Sequence, residues 1–241
     1  MDAVRETVLA LRSEAEATNE RRLLVCAGSR EAGYTAACEA ADLDAIALSE
    51  RDIVGRRLAP ARADELLGET HDCVVVDCHD ACRPNALGRA AGAVDGGGLL
   101  VLVVPPFERW PDERDGFDET LAVPPFGLDD VAGTFRRRLV RTLREHRGIA
   151  IVDVDAGTVE ADGRTDPSPK FAEAPFLPPD DAAFPKSVYD ACLTADQRDA
   201  VLACEALSEP GKAVVLEADR GRGKSSAAGL AAAAHAADDR D

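Results

Sequence analysis

The feature that most constrains the fold of this chain is an alternation of short apolar runs with segments of helical character. The runs at 23–29, 73–77 and 99–104 are mostly apolar, and polar segments with helical periodicity separate them. Strands that are apolar throughout are buried on both faces, as in a parallel sheet covered by helices on both sides. The sequence therefore predicts an α/β fold with a parallel, Rossmann-like sheet in its N-terminal part.

The same patterns predict the individual elements and the domain boundaries. Helices are predicted at 2–20, 34–41, 62–67, 84–93 and 136–147, and strands at 23–29, 45–48, 73–77, 99–104 and 149–154. From about residue 155 to 185, Gly, Asp and Pro accumulate and no period remains, which is typical of a connection between domains. We predict an N-terminal α/β domain at 1–160, a linker at 161–189 and the beginning of a second domain at 190–241.

The second domain contains a candidate phosphate-binding loop. An apolar run from Val214 leads into a short turn with Gly221 and Gly223, and Lys224-Ser225 then opens an alanine-rich segment. This order is typical of P-loops, in which backbone N–H groups surround the phosphates, Lys reaches the β- and γ-phosphates and Ser binds Mg²⁺. We therefore predict the first strand, loop and helix of a RecA/helicase-like P-loop domain that binds ATP with Mg²⁺.

The loop also has a simpler interpretation. Ala218 stands where P-loops usually have their first Gly, and an ordinary strand-turn-helix connection with a surface Lys at position 224 would look similar. A helix that begins after Thr194, its N-cap, and continues to Leu207 precedes the loop. The occurrence of apolar run, glycines, Lys-Ser and helix former in the required order favours the phosphate loop.

The charge of the chain limits what its whole surface can bind. The formal net charge is −17, and Lys occurs only at 170, 186, 212 and 224. This sign excludes a protein that grips nucleic acid over its whole surface. An acidic surface poor in Lys is typical of a salt-rich cytoplasm, where salt screens self-repulsion, and we favour this halophilic interpretation over a specific acidic function.

Cysteine usage and hydropathy indicate the compartment. The seven cysteines are odd in number and scattered, so that no disulfide framework is recognisable, which favours a reducing cytoplasm. The N-terminus is polar, and no apolar run approaches the roughly 20 residues that a membrane-spanning helix needs. We therefore predict a cytoplasmic protein without a membrane segment.

A polar cluster, Asp77-Cys78-His79-Asp80-Ala81-Cys82, follows the strand predicted at 73–77. Cys78, His79 and Cys82 could bind zinc, but the chain lacks a second ligand pair, and structural zinc is almost always four-coordinate. The alternative is a polar loop at the carboxyl end of a parallel strand, where ligands often bind. We favour the polar loop.

Short motifs in both predicted domains combine into the pattern of one known family. In the first domain they are Asp77-x-His79, Pro84-Asn85-Ala86-Leu87-Gly88, Gly96-Gly97-Gly98-Leu99-Leu100, Trp110 and Phe135-Arg136-Arg137-Arg138-Leu139. In the second they are Leu193-Thr194-x-x-Gln197 and Ala218-Asp219-Arg220-Gly221-Arg222-Gly223-Lys224-Ser225. Together they resemble the RNA (tRNA-Met) cytidine acetyltransferases, whose N-terminal domain precedes a helicase-like ATPase module.

The resemblance implies an enzyme that uses acetyl-CoA and ATP to form N4-acetylcytidine in RNA, in tRNA of the elongator tRNA-Met type, with tRNA as its partner. It implies that Gln197 binds the adenine, although a solvated helix residue is the alternative for this position. The implied ATP-binding residues are Gln197, Gly221, Arg222, Gly223, Lys224, Ser225 and Ser226, with Ser225 binding Mg²⁺ together with the nucleotide. Asp77 and His79 match a family motif but receive no catalytic role.

The resemblance also implies that these 241 residues are catalytically incomplete. The acidic ATPase motifs, the acetyl-CoA site and the RNA-binding tail of the family are expected beyond Asp241. The alternative hypothesis is a stand-alone nucleotide-binding interaction module without acetyl transfer, whose N-terminal domain binds a partner protein.

Overall fold

The structure, a computed structural model, describes residues 2–41, 44–165, 182–218 and 223–238 and divides the chain into unit 1 (Met1–Phe171) and unit 2 (Ala172–Asp241). The strands of unit 1 are β1 (Arg22–Ala27), β2 (Ile46–Leu48), β3 (Arg56–Leu58), β4 (His71–Asp77), β5 (Val94–Val104), β6 (Ile149–Asp153) and β7 (Thr158–Asp162). Its helices are α1 (Asp2–Thr18), α2 (Arg30–Ala40), α3 (Pro84–Ala93), α4 (Gly116–Glu119) and α5 (Thr134–Glu145), with 3₁₀ helices at Pro60–Leu66 and Leu128–Asp130. Unit 2 contains α6 (Lys186–Asp190), α7 (Ala195–Cys204), a 3₁₀ helix at Glu205–Ser208 and α8 (Lys224–Asp238).

The strands of unit 1 form one sheet in the order β3-β2-β4-β5-β1-β6-β7. All neighbouring pairs are parallel except β6 and β7, which are antiparallel. Strand β1 lies between β5 and β6, so that Leu24 is paired with both Val101 and Ala150. The predicted parallel α/β sheet is confirmed.

Alternate residues of the strands enter two separate hydrophobic cores, one on each face of the sheet. Val25, for example, packs with apolar residues of α3 and α5, whereas Leu24 and Cys26 pack with those of α1 and α2. Successive side chains of a strand point to opposite faces, so a strand covered on both sides must be apolar at every position. This explains why the strand sequences contain unbroken apolar runs.

The helices that follow the central strands leave the sheet on opposite faces. After β1 the chain crosses one face through α2 to reach β2, whereas after β4 and β5 it crosses the other face through α3 and α5. A reversal of this kind opens a crevice at the carboxyl ends of the strands, the place where doubly wound sheets bind their ligands. The residues that follow β1 and β4 therefore form the first candidate site.

Three sequence expectations in unit 1 need correction. The predicted helix at 62–67 is a 3₁₀ helix at Pro60–Leu66, in which Arg62 departs from helical dihedrals. The stretch after residue 155 is not irregular throughout, because β7 pairs with β6 there, and β3 was not predicted at all. Both missed strands lie at sheet edges, where exposed side chains replace the apolar run that identifies a buried strand.

A buried arginine fixes the beginning of α5. Arg136 is only 1 % exposed, and its guanidinium forms ion pairs with Asp115, at 3.2 Å, and with Asp118. Its Nε also donates to the carbonyl oxygen of Trp110 at 3.1 Å. These contacts of the buried Arg136 guanidinium hold the first turn of α5 in place. Arg136 therefore acts as an anchor that sets the directions of the neighbouring α5 side chains.

Unit 2 is a small helical body whose core is formed by apolar residues of α6, α7 and α8 together with Phe184. The strand expected from Val214 is not formed, because residues 212–218 are not part of any strand and Val215 is 89 % exposed. A strand needs a partner for its backbone groups, and the described part of unit 2 contains no strand that could supply one. Among the described residues, no helix is both long and apolar enough to cross a membrane.

Candidate functional site

The predicted phosphate loop lies between the extended segment 212–218 and α8, which begins at Lys224. Two predicted nucleotide-binding residues, Gly221 and Arg222, lie outside the described residues. Gly223 has a φ of +78°, a conformation that favours glycine. Lys224, Ser225 and Ser226 form the first turn of the 15-residue helix α8, so the three predicted side chains emerge together at the helix N-terminus.

The side chain of Gln197 is hydrogen-bonded to the backbone at the start of α7. It is 6 % exposed, and its Oε1 accepts from the N–H groups of Leu193 and Thr194 at 2.7 and 3.3 Å. In return, Thr194 Oγ1 accepts from the backbone N–H of Gln197 at 3.2 Å, which completes a capping box at the start of α7. The alternative of a solvated helix residue is therefore wrong for Gln197.

The amide nitrogen of Gln197 connects this cap with the predicted loop. Its Nε2 donates to the carbonyl oxygen of Gly223 at 3.5 Å, next to Lys224. The structure thus brings Gln197, Gly223 and Lys224 together, although they are far apart in the sequence. A hydrogen bond from Gln197 to an adenine remains a prediction, and the amide already has backbone partners.

The ammonium group of Lys224 donates to the carbonyl oxygen of Ala218. Ser225 and Ser226 are exposed at the start of α8. A lysine ammonium, a serine hydroxyl and the N–H groups of a helix N-terminus are the groups that bind a polyphosphate and its Mg²⁺.

The polar cluster after β4 is centred on the carboxylate of Asp77, which is 4 % exposed. One oxygen accepts from the hydroxyls of Tyr34 and Ser49, the latter at 3.3 Å. The other oxygen accepts from the backbone N–H of His79 and meets its ring Nδ1, both at 3.0 Å. One residue of α2 and the residues that follow β2 and β4 therefore converge on one carboxylate.

The hydrogen bonds to Asp77 keep it ionised. Burial alone raises the pKa of a carboxyl group, but the bonds from His79 and Tyr34 outweigh burial and lower the pKa of Asp77 to about 2. Burial and the bond to Asp77 raise the pKa of Tyr34 to about 12. With so low a pKa Asp77 is a weak base at neutral pH, and we assign no proton transfer to it.

His79 joins this carboxylate to the end of strand β1. Its Nδ1 faces Asp77, and its Nε2 lies 3.2 Å from the carbonyl oxygen of Gly28. Both partners are acceptors, so both hydrogen bonds exist at once only when the ring carries two protons. In that form His79 links the carboxyl ends of β4 and β1 through a charged pair.

The turn from β1 into α2 is occupied by carboxylates of the chain itself. Asp155, which follows β6, accepts from the backbone N–H of Ser29 at 2.8 Å and from its hydroxyl. Both terminal nitrogens of Arg30 donate to the carboxylate of Asp80, one of them at 3.0 Å. In nucleotide-binding Rossmann folds, this helix N-terminus binds a phosphate.

The glycines of this turn match two of the three positions of the dinucleotide fingerprint G-x-G-x-x-G. Gly28, with a φ of +153°, allows the tight turn, and Gly33 allows close packing, since a Cβ there would lie 2.4 Å from Val103. Arg30 stands at the middle position, where the fingerprint needs Gly so that the backbone can approach the pyrophosphate. This turn therefore has two of the three glycines of a dinucleotide site and lacks the one that lets the backbone approach the pyrophosphate.

The zinc interpretation of the Cys78–Cys82 cluster receives no support from the structure. No group of three or more His, Cys, Asp or Glu side chains among the described residues could hold a metal ion. Cys78 and Cys82 are buried free thiols. The hydrogen bond between them is the main cause that raises the pKa of Cys78, and burial is the second cause. The preferred interpretation, a polar loop at the end of a parallel strand, agrees with this geometry.

Sequence reasoning missed most residues of the polar edge formed by the Asp77 network and the β1–α2 turn. They are Tyr34, Ser49, Arg30 and Asp155, each of which lies close behind a strand or in the first turns of the following helix. A sequence signal existed, because the carboxyl ends of parallel strands share one edge, so polar residues just after predicted strands are candidates for a common cluster. Only the residues after β4 were considered in this way.

Comparison with known proteins assigns the chain to a family. Residues 1–154 match the family described as tRNA(Met) cytidine acetyltransferase TmcA, N-terminal. The chain is 58 % identical to the tRNA(Met) cytidine acetyltransferase TmcA of Haloarcula marismortui and 54 % identical to that of Haloferax volcanii, in both cases over 96 % of this chain. It is 34 % identical to the TmcA of Nitrosococcus halophilus over 97 % of its length.

The matched region covers 31 %, 32 % and 31 % of these three relatives, so the chain spans about a third of their length. The similarity includes unit 2 as well as unit 1, since it extends over nearly the whole chain in all three comparisons. The chain belongs to the tRNA(Met) cytidine acetyltransferase TmcA family, in which it corresponds to the N-terminal region.

Proposed function

We propose that this chain takes part in the acetylation of a cytidine in tRNA(Met), as the N-terminal region of an enzyme that forms N4-acetylcytidine with acetyl-CoA and ATP. The observation that carries the proposal is the 58 % identity, over 96 % of the chain, to a protein named as a tRNA(Met) cytidine acetyltransferase. Acetyl-CoA and ATP are taken from what the sequence resemblance implies, and no residue of this chain is assigned to bind acetyl-CoA.

We further propose that unit 2 contributes to ATP binding through the loop before α8. The support is geometric: the Lys224 ammonium contacts the carbonyl oxygen of Ala218, and Ser225 is exposed in the first turn of α8. These groups fit the phosphates of a nucleotide and, for Ser225, its Mg²⁺. ATP would supply the free energy of a coupled step, while Lys224, Ser225 and the N-terminus of α8 would bind and orient its phosphates.

Unit 1 receives a different role in this proposal. The β1–α2 turn and the Asp77 network already pair their cations and N–H groups with carboxylates of the chain. An incoming phosphate would have to displace Asp155 and Asp80 and would find Arg30 in place of a glycine. We therefore assign nucleotide binding to unit 2 alone and a structural role to the polar edge of unit 1.

The test is the N4-acetylcytidine content of tRNA(Met) from cells in which the gene is deleted, measured by mass spectrometry of nucleosides. We expect the modification to disappear on deletion and to return with the wild-type gene, but not with the Lys224→Ala variant. The matched control is Lys212→Ala, which removes an exposed lysine of the same unit that pairs only with Glu209, at 3.4 Å. Unchanged acetylcytidine after deletion would refute the function and favour a nucleotide-binding interaction module without acetyl transfer.

A further inference from the structure

Helix α5 carries a concentration of positive charge that contrasts with the rest of the chain. Residues 134–147 contain six arginines and a single acidic residue, Glu145, in a protein of net charge −17. Arg136 is used internally as the anchor of the helix. Four other arginines of α5 are exposed, and we call them the basic stripe: Arg137, Arg138, Arg141 and Arg144.

The spacing of the stripe places its charges along one side of the helix. Arg137, Arg141 and Arg144 recur at i, i+4 and i+7, and together they line a groove of about 450 Å³. With a rise of 1.5 Å per residue, these three positions extend over about 10 Å of the helix axis. The row is long enough to meet more than one phosphate of a nucleic-acid strand.

The charges of the stripe are only partly neutralised. Arg137 pairs with Asp112 at 3.3 Å, and Arg144 pairs with Glu160 at 2.6 Å and with Glu108 at 3.5 Å. These pairs are exposed, and surface ion pairs contribute no more than about 1 kcal/mol, so a phosphate can replace the carboxylate. Within the described ranges of the chain, Arg138 and Arg141 form no ion pair.

The composition of the stripe favours a phosphate partner. It consists of arginine alone, whose planar guanidinium donates two parallel hydrogen bonds to a phosphate, whereas lysine acts as a point charge. The anchor at Arg136 fixes the start of the helix, so the stripe is held in place before a partner arrives. The net negative charge of the rest of the chain repels a polyanion, so a polyanion is expected to approach the protein at the basic stripe.

We propose that the basic stripe of α5 is a docking surface for the phosphate backbone of tRNA. This inference rests on the proposed function, from which it takes the identity of the polyanion, and it adds a site in unit 1 that binds the substrate RNA. The contacts are to phosphates, so the stripe contributes affinity and orientation and does not read the base sequence.

The test is the binding of a fluorescent tRNA(Met) transcript to the whole 241-residue chain over a series of salt concentrations. In the double variant Arg138→Glu/Arg141→Glu, we expect affinity to fall by about tenfold or more and the log–log salt slope to decrease by about 2, about one unit for each phosphate contact. Arg138→Lys/Arg141→Lys keeps the charge and should bind within about threefold of the wild type. Fluorescence of Trp110, the single tryptophan, shows whether each variant is folded.

The matched control is Arg56→Glu/Arg57→Glu, which changes the net charge by the same amount at two exposed arginines of the edge strand β3. It should bind tRNA within about twofold of the wild type, because the control residues lie outside the stripe. Three results would overturn the docking surface: no saturable binding by the wild type, an equal loss in both charge-reversal variants, or displacement of tRNA by polyglutamate as effective as by unlabelled tRNA. The last of these would indicate an acidic protein as the partner.

The proposed function is tested separately, by the N4-acetylcytidine content of tRNA(Met) after deletion of the gene. If deletion of the gene abolishes N4-acetylcytidine while the stripe variants bind tRNA normally, only the docking surface is wrong. If acetylcytidine persists after deletion, the acetylation proposal fails, whatever the binding assay shows.

Discussion

Two turns that lead into helices, one in each unit, can be compared by the hydrogen-bond partners of their positively charged side chains. At the β1–α2 turn of unit 1, Asp155 takes the N–H group and hydroxyl of Ser29, and Asp80 takes both terminal nitrogens of Arg30. At the start of α8 in unit 2, the Lys224 ammonium contacts a neutral carbonyl, that of Ala218. An anion that enters the first turn must displace these carboxylates, and one that binds Lys224 must displace the carbonyl oxygen of Ala218.

The comparison teaches that a helix N-terminus behind a glycine turn is not sufficient evidence for a nucleotide site. Both turns have a glycine with positive φ, Gly28 in one and Gly223 in the other. At the first turn the chain supplies its own anions, Asp155 and Asp80. Side chains that follow distant strands decide this, and their convergence is visible only in the folded structure.

The largest effect that would test the comparison concerns nucleotide affinity. Lys224→Ala should weaken ATP·Mg²⁺ binding by about 100-fold, or about 2.7 kcal/mol, because the variant loses the cation nearest the β- and γ-phosphates. Arg30→Ala should leave the affinity unchanged, because its guanidinium is paired with Asp80 in unit 1. Isothermal titration calorimetry in high salt measures both variants. Equal affinity in the wild type and Lys224→Ala would remove the difference between the two turns.

The next effect concerns the packing that holds the turn of unit 1 in place. Gly33→Ala should lower the free energy of unfolding by about 2 to 3 kcal/mol, because its Cβ would lie 2.4 Å from Val103 Cγ1 inside the sheet core. Chemical denaturation followed by Trp110 fluorescence reports on unit 1. The control Gly88→Ala adds the same methyl group in α3, where nothing lies within 4 Å, and should be neutral or stabilising by up to about 1 kcal/mol. A similar loss in both variants would mean that close packing at Gly33 is not required.

The smallest effect concerns pH and the polar edge. The folded pKa of Asp77 is about 2, below the ordinary value of 3.8 for an aspartate, so its ionised form stabilises the folded state above pH 3.8 by about 2 kcal/mol. This contribution should be lost as the pH falls from about 4 to about 2, since the unfolded chain then binds a proton that folded Asp77 does not. Denaturation at pH 2 to 6 should show a shallower acid loss in Asp77→Asn than in the wild type. The same slope in both proteins would contradict the proposed network.

The sequence was sufficient for the centre of unit 1 and less so for its edges. Unbroken apolar runs predict β1, β4, β5 and β6, because strands buried on both faces need an apolar residue at every position. The strands β3 and β7 have only one covered face, so their short patterns did not stand out. The strand expected in unit 2 was predicted from a comparable apolar run, but no neighbouring strand among the described residues supplies the backbone partners.

In the candidate sites, residues that are close in the sequence could be predicted to lie together, whereas contacts between distant residues could not. The predicted phosphate-loop residues lie within a few positions of one another, so sequence order alone brings Gly223, Lys224 and Ser225 together. The Asp77 network joins Tyr34, Ser49 and His79 across the ends of several strands, and the contact of Gln197 with Gly223 joins two helices. Such contacts depend on strand order and helix packing, which local patterns do not encode.

The two outermost strands restrict how this chain can associate with other proteins. β3 is three residues long and exposes Arg56 and Arg57, and β7 alternates exposed polar residues, including Glu160, with half-buried ones. Short, charged edges disfavour the addition of a further strand by a second copy or by an extended peptide. Growth of the sheet into fibrils is disfavoured for the same reason, so lasting associations of unit 1 are expected to involve its helices and loops.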